Sequence, residues 1–321
     1  MGGYLQGRGI HVDQHLTNVA INYKPLGFIA DLVAPVVPVM HQSGMFKTYN
    51  QADLFRIEND HRSPGTEANK VAFQVGSGSY FAKNFALKAD VTIEDRANAD
   101  PAFFRDLESG RVEFLKDKLS LAKDLRVATL MTTATNVATQ TVVASAWNDL
   151  TNSDPFGDIN SVIDLQEDKT GYRPNKLVFS SIAFRNVTRN ASIIDKTNKT
   201  GVTGGGQNAT INQLKELFNV PEILVGGAQY NTGDEGQGLT LSHMWAENVF
   251  VGYVAERPSI DRPSFMYSFR WRKPGLANMN VERHPFDTKT KTDEIELGYY
   301  QDEKIVSTDL GYLISWVNCS Q

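Results

Sequence analysis

Cysteine is almost absent: Cys319 is the one thiol in 321 residues. It can close no disulfide within the chain, so stability rests on packing or assembly, and the usage fits a reducing compartment. Long apolar runs are missing too. The longest, LVAPVVPVM from Leu32 to Met40, is interrupted by Pro35 and Pro38 and falls well short of the roughly 18 to 20 residues that a membrane span requires. The first residues, MGGYLQGRGIHVDQ, form no apolar signal segment and continue no myristoylation pattern. Positive charge is not in excess either. The net charge is −5 and the densest basic segment, FRWRKPG, holds three positive charges, whereas a chain that grips nucleic acid needs a basic excess or stripe.

The motifs of catalysis and metal binding are missing as well. The histidines at 11, 15, 41, 61, 243 and 284 are scattered, with no HExxH and no cysteine pair to complete a zinc site. His11 and His15 are four apart, but the glycines before them argue against a shared helical face. The glycine cluster TGVTGGGQNAT places Gln207 and Asn208 where a phosphate loop needs lysine and serine, so it reads as a surface loop. Gly76-Ser77-Gly78-Ser79 is no nucleophile elbow, because no serine has glycines two before and two after it; the run reads as a hairpin turn. The expectation is a non-enzyme with no catalytic, cofactor or metal site.

What is present is apolar content of 41%, enough for a large core. Residues 1 to about 50 read as an arm with an extended, proline-marked segment whose apolar side chains need cover from the body or from a neighbour. VAFQVGSGSYFAKNFALKADVTIE reads as two strands of a ribbon that is marginal alone. From about Phe103 to Trp147 there is one glycine and no proline. Val112, Leu115, Leu119, Ala122, Leu125 or Arg126, Thr129, Thr133 and Val137 form a helical stripe, widened by Val127, Leu130, Met131 and Ala134 and surer in its first half. Residues 155–250 alternate short helices and strands as a mixed α/β unit. After Asn248 strands dominate, among them PSFMYSFRWR, where Phe265, Tyr267, Phe269 and Trp271 alternate with Arg270 and Arg272. Asp53, Glu58, Asp60 and Glu67, with Arg56, His61 and Arg62 interleaved, form a mixed-charge loop that reads as a solvated or an inter-subunit salt-bridging surface, with Lys70 and Lys83 in or near the ribbon. Arg257, Asp261, Arg262, Arg270 and Arg272, beside the aromatic strand, read equally as candidate contacts or as a solvated sheet face.

Taken in order, FIADLVAPVVPV with YNQADLF, HRSPGTEANKVAF, KLVFSSIAFRNV, VPEILVGGAQYNTGDEG, YVAERPSIDRPSFMYSFRWR and YYQDEKIVSTDLGYLI resemble the major capsid proteins of tailed bacteriophages with the HK97-type fold. The resemblance spans nearly the whole chain. It implies an α+β fold with an N-terminal arm (1–48), an extended E-loop hairpin (49–98) and the spine helix of a P-domain (99–150). It also implies a mixed α/β A-domain (151–250, mostly) and P-domain strands to the C-terminus (251–321). By the same resemblance the rings of PSFMYSFRWR pack the P-domain sheet against the spine helix, with Arg270 and Arg272 facing outward. The implied partners are copies of the same chain in hexamers and pentamers, enclosing double-stranded DNA without sequence-specific binding. A separate scaffolding protein, a portal and cement or decoration proteins are implied as well. The segment before the E-loop does not read as a cleaved coiled-coil scaffold. The implied location is the virion, after assembly in the host cytoplasm. Two other readings compete: an encapsulin-like compartment shell, and an α/β enzyme using residues 150–250.

Overall fold

The computed structural model describes residues 11–23, 27–49, 57, 60–70, 75–98, 104–137, 139–143, 145–199, 208–273 and 279–315. The expected loop at 200–207 lies outside them. In chain order the elements begin with β1 (His11–Val12), α1 (Gln14–Asn22), α2 (Ala30–Val33), β2 (Val36–Val39), β3 (Ser43–Tyr49), β4 (Val75–Phe81) and β5 (Lys83–Thr92). They continue with α3 (Ile93–Asn98), the long helix α4 (Phe104–Thr132), β6 (Thr139–Val142), α5 (Pro155–Thr170), β7 (Lys176–Ser180), α6 (Ser181–Arg189), α7 (Ala191–Lys199) and α8 (Ile211–Phe218). The last are β8 (Glu222–Gly226), β9 (Gln229–Asn231), β10 (Leu241–His243), β11 (Asn248–Gly252), β12 (Met266–Trp271), β13 (Asn280–Arg283), β14 (Thr292–Ile305) and β15 (Gly311–Ser315).

Two sheets organise the chain. In the first, β14 is the axis: β13 and β12 pair with its two halves, β1 and β2 extend that side, and β5 pairs along it over residues 83–92. The second has the order β6-β15-β11-β7-β8. Its strands β7, β11 and β15 are buried on both faces and read as nearly continuous apolar runs. One face, with Leu177, Phe179, Val249, Val251 and Ile314, packs on residues of α5 to α8 such as Ile159, Ile163, Val187 and Leu214. The other face presents Val178, Leu224, Phe250 and Leu313 to Val127, Ala128 and Met131 of the long helix. Helix α4, 29 residues and about 43 Å long, spans both sheets: Val112, Leu115 and Leu119 near its start pack on Ile295, Leu297 and Tyr299 of β14.

Local chemistry explains the boundaries. Asp13 caps α1 by accepting from the His15 and Leu16 amides. The helix therefore begins at Gln14, after the strand that holds His11, so His11 and His15 share no helical face, in line with the expectation. Gly171, at φ 69°, ends α5 in the left-handed conformation. Thr210 and Gln213 form a reciprocal capping box on α8. The long helix stops at Thr132 and its β-branched, polar continuation becomes a short 3-10 turn and then β6. Helix α7 ends at Lys199, directly before the glycine cluster.

Three further expectations are corrected. Gly76 and Gly78 are not a turn but lie inside β4, opposite Thr48 and Phe46 of β3. A Cβ on Gly78 would come within 2.3 Å of the Phe46 ring, so the glycine is there to let that ring lie flat over the strand. Within the helical stripe, Ala122, Thr129 and Thr133 are exposed while Lys123 and Asp124 are buried. Of the aromatic stretch, Phe265 packs in the cluster of the long helix and Arg272 is exposed, as expected, but the strand after Phe265 faces the other way. Tyr267 and Phe269 turn from the helix toward Val37, Val39, Phe46 and Tyr80, and the opposite face, bearing Met266 and Arg270, turns toward the long helix. Both faces of the strand are covered, so alternation alone could not say which side met the helix. Apolar residues of 27–39 find cover in the chain's own body: Ala30, Val33 and Ala34 sit against Val127 and Met131.

Candidate assembly surfaces

The β3–β4 ribbon stands on the aromatic strand. Phe46 and Tyr80 stack on the Phe269 ring at centroid distances of 5.2 and 4.7 Å, and Trp271 meets Tyr300 edge-on at 5.1 Å. Such pairs add to the area they bury. The ribbon's outward face is different: Met45 is 73% and Phe81 53% exposed, with Lys47 paired to Asp261 at 2.9 Å. Between the two strands, Ile57 and every residue from 60 to 70 are exposed. That loop is ordered by its own turn. Gly65 takes φ 86° after Pro64, the Thr66 amide and hydroxyl donate to the Ser63 carbonyl, and Arg62 Nε donates to the Thr66 carbonyl at 2.6 Å.

The sequence-selected charges divide into three groups. Asp53, Arg56 and Glu58 lie outside the described residues. Arg62, Glu67, Lys70, Lys83, Arg257, Arg262 and Arg272 are exposed. Arg270 is half-buried and satisfied within the chain: Nε and Nη2 donate to Gln301 Oε1 at 3.0 and 2.5 Å, and the guanidinium sits 5.0 Å from the Tyr299 ring centre. The structure thus brings Arg62, Glu67 and Lys70 together on one loop but does not gather the others into a single cluster.

Sequence reasoning missed the buried charges. Asp124 Oδ1 accepts from the Ile29 and Ala30 amides at 3.2 and 2.9 Å, and Oδ2 accepts from Trp245 Nε1 at 3.3 Å. One carboxylate therefore joins the N-terminal segment, the long helix and the turn before β11. Burial pushes its pKa up, against the hydrogen bonds that hold it down. Beside it, burial pushes the Lys123 ammonium down, while its pairing with Asp31 works the other way. Farther along, Arg126 donates to Glu303 at 3.0 Å and stacks 3.8 Å over Phe85. Arg283 binds Glu108 at 2.8 Å and Asp13 at 3.3 Å, and Arg96 joins Glu108 to Asp293. The Glu108 hydrogen bond, followed by the neighbouring carboxylates, raises Arg283 above the usual arginine value despite burial. The signal available was the i, i+4 continuation of the stripe from Leu115 and Leu119 to Lys123 and Val127, which charge disguises as a solvent face.

Two further polar arrangements stand out among the described residues. A cleft lined by Asp31, Asn175, Lys176, Glu222 and Glu256 is spanned by the Lys176–Glu222 and Lys123–Asp31 pairs. Ser181 Oγ stands 3.4 Å from His243 Nδ1, but that ring also contacts Gln229 rather than a carboxylate that would orient it. Among the described residues no group of three His, Cys, Asp or Glu side chains could hold a metal ion, and no helix is long and apolar enough to cross a membrane.

No family model matches the chain. It is 26% identical over 317 residues to the major capsid protein of Burkholderia phage BcepMu, covering 96% of this chain and 97% of that one. Among solved structures it is similar to a phage-related protein from Bordetella bronchiseptica RB50, with a TM-score of 0.75, 25% identity and coverage of 95% and 96%. It shares its fold with the capsid of cyanophage P-SCSP1u (TM-score 0.58, 14% identity, 92% and 90% covered). The holo-SrpI encapsulin of Synechococcus elongatus PCC 7942 also has this fold (TM-score 0.52, 11% identity, 95% of each chain). The resemblance to phage capsid proteins that the ordered motifs carry holds over the full length, in sequence and in fold.

Proposed function

As a structural shell protein of the capsid and encapsulin kind, this chain is, we propose, the subunit of an icosahedral phage capsid, assembling as hexamers and pentamers around double-stranded DNA. The observation that carries the reading is the end-to-end sequence likeness to the BcepMu capsid protein. In this reading the β3–β4 ribbon and its loop are the E-loop, α4 is the spine helix of the P-domain, and the five-stranded sheet with α5 to α8 is mostly the A-domain. The work is contact without catalysis, done by exposed charges such as Arg62, Glu67, Arg257 and Arg272. A mildly acidic chain, at net charge −5, suits a wall that must not adhere to its contents. Scaffolding, portal and cement proteins would be its partners, and the virion its location after assembly in the host cytoplasm.

A second reading, a compartment shell, is favoured by the fold shared with the SrpI encapsulin. Electron microscopy of particles from cells expressing the chain with its neighbouring genes, combined with nuclease treatment, separates the two. Closed shells of hexamers and pentamers whose DNA survives nuclease support the capsid; shells filled with protein support the compartment. A uniform monomer under every condition would overturn both.

A further inference from the structure

The first sheet ends in an edge that nothing described covers. Strand β5 pairs with β14 through all ten of its residues, Lys83–Thr92, and among the described residues no strand pairs with its other side. That is about 33 Å of strand with one row of amides and carbonyls open. Of the usual devices that blunt an edge, only charge is present, at Lys83, Lys88 and Asp90. KNFALKADVT contains no proline and no glycine, and its apolar side chains are partly bare, with Leu87 41% exposed.

The side chains show what would fit. Phe85, Leu87, Ala89 and Val91 lie across from Tyr299, Leu297, Ile295 and Asp293, on the face toward the long helix. Ala86, Lys88 and Asp90 lie on the opposite face. There Asp90 stands directly across from Glu294, like charge against like, and Lys88 across from Glu296 while bonding Glu294 at 2.8 Å. A cation on the open side of Asp90 would relieve that juxtaposition.

We propose that β5 pairs antiparallel with β5 of a second copy about a two-fold axis through Ala89, an interface within the shell assembly described above. This register brings Lys88 opposite Asp90 of the partner subunit and, by symmetry, Asp90 opposite Lys88 of the partner subunit. Leu87 meets Val91 of the partner subunit. Centring the axis one residue earlier would oppose two lysines, and one residue later two aspartates. The charge pattern is self-complementary at Ala89, as a two-fold interface requires.

The axis makes the test specific, because Ala89 would face its own copy at the roughly 4.5 to 5.5 Å Cα separation of paired strands, within reach of a disulfide. In a Cys319→Ser background, Ala89→Cys is expressed with its neighbouring genes, oxidised with copper-phenanthroline and run on a non-reducing gel. Particles whose subunits become covalent dimers support the pairing, provided Leu87→Cys alone yields none and Leu87→Cys mixed with Val91→Cys does. Particles that stay monomeric on the gel overturn the pairing and leave the shell reading standing. Dimers without particles support the pairing and overturn the shell reading; neither product overturns both. Charge reversal covers a cysteine variant that fails to fold. Lys88→Asp and Asp90→Lys should each cut particle yield several-fold, and the two together should restore it. Unrestored yield in the double variant counts against the register.

Discussion

The five-stranded sheet and the β3–β4 ribbon are built on opposite terms. In the sheet, β7, β11 and β15 are buried on both faces, between helices on one side and the long helix on the other. The ribbon buries one face through Phe46 and Tyr80, leaves Met45 and Phe81 bare on the other, and leads into a loop exposed at every described position. That loop nevertheless carries its own hydrogen-bonded turn. Both faces of the sheet are covered within one chain. The ribbon's outer face, its loop and much of β5 are instead exposed, which suits the proposal that copies of the chain meet there. Ordering a loop in advance reduces the entropy lost when it docks.

Breaking buried contacts, including those on the ribbon's covered face, should cost most. Phe269→Ala removes the ring beneath both Phe46 and Tyr80 and should destabilise the subunit by about 3 to 5 kcal/mol, read from urea unfolding; a loss below about 1 kcal/mol would mean the ribbon does not rely on that stack. Asp124→Ala leaves two amides and an indole N–H without their acceptor and should cost about 3 kcal/mol. Unchanged unfolding there would remove Asp124 as the junction between the N-terminal segment and the long helix. Gly78→Val, whose side chain would meet the Phe46 ring, should cost about 1 to 3 kcal/mol and raise protease cleavage in residues 43–81 while leaving 176–226 protected.

On the open half the expectation reverses. Replacing Ser63–Thr66 with a Gly-Ser linker should change unfolding by no more than about 0.5 kcal/mol yet abolish closed particles in electron microscopy. Normal particles would show that the loop makes no essential contact. Deleting the wider span 69–83 would be a poor test, because it removes β4 and the Tyr80 stack with it.

The smallest effect is electrostatic. Asp124 has its folded pKa raised above the ordinary value of 3.8, chiefly by burial, so the folded state holds that proton more tightly than the unfolded one. Its contribution is greatest below the unfolded value and is lost as pH rises through the folded one. Relative to Asp124→Asn, which does not titrate, the native chain should therefore lose stability as pH rises from about 4. The opposite slope would mean that the hydrogen bonds outweigh burial.

Much of the first half of this contrast was legible in the sequence. The apolar runs of β7, β11 and β15, the Gly171 stop and the long helix all follow from local pattern, because each depends on neighbours within a few residues. What escaped depended on partners far along the chain. Gly76 and Gly78 look like a turn until β3 is placed beside them, and Lys123 and Asp124 look solvated until residues 29 to 31 and Trp245 meet them. The rings of PSFMYSFRWR announced a buried face but not which layer covered it, since Met266 and Ser268 behind them are buried too. The candidate contact charges were recognisable as types, and among the described ones Arg62 bonds the Thr66 carbonyl and Arg270 bonds Gln301 within the chain, but no single sequence can supply the surface that a second copy brings.

Hydrogen exchange, measured residue by residue on the isolated subunit and on the assembled particle, tests this division most directly. The account predicts new protection at residues 60–70 and 86–92 on assembly, with β7, β11 and β15 slow in both states. Equal exchange of the loop and the β5 edge before and after assembly would contradict it.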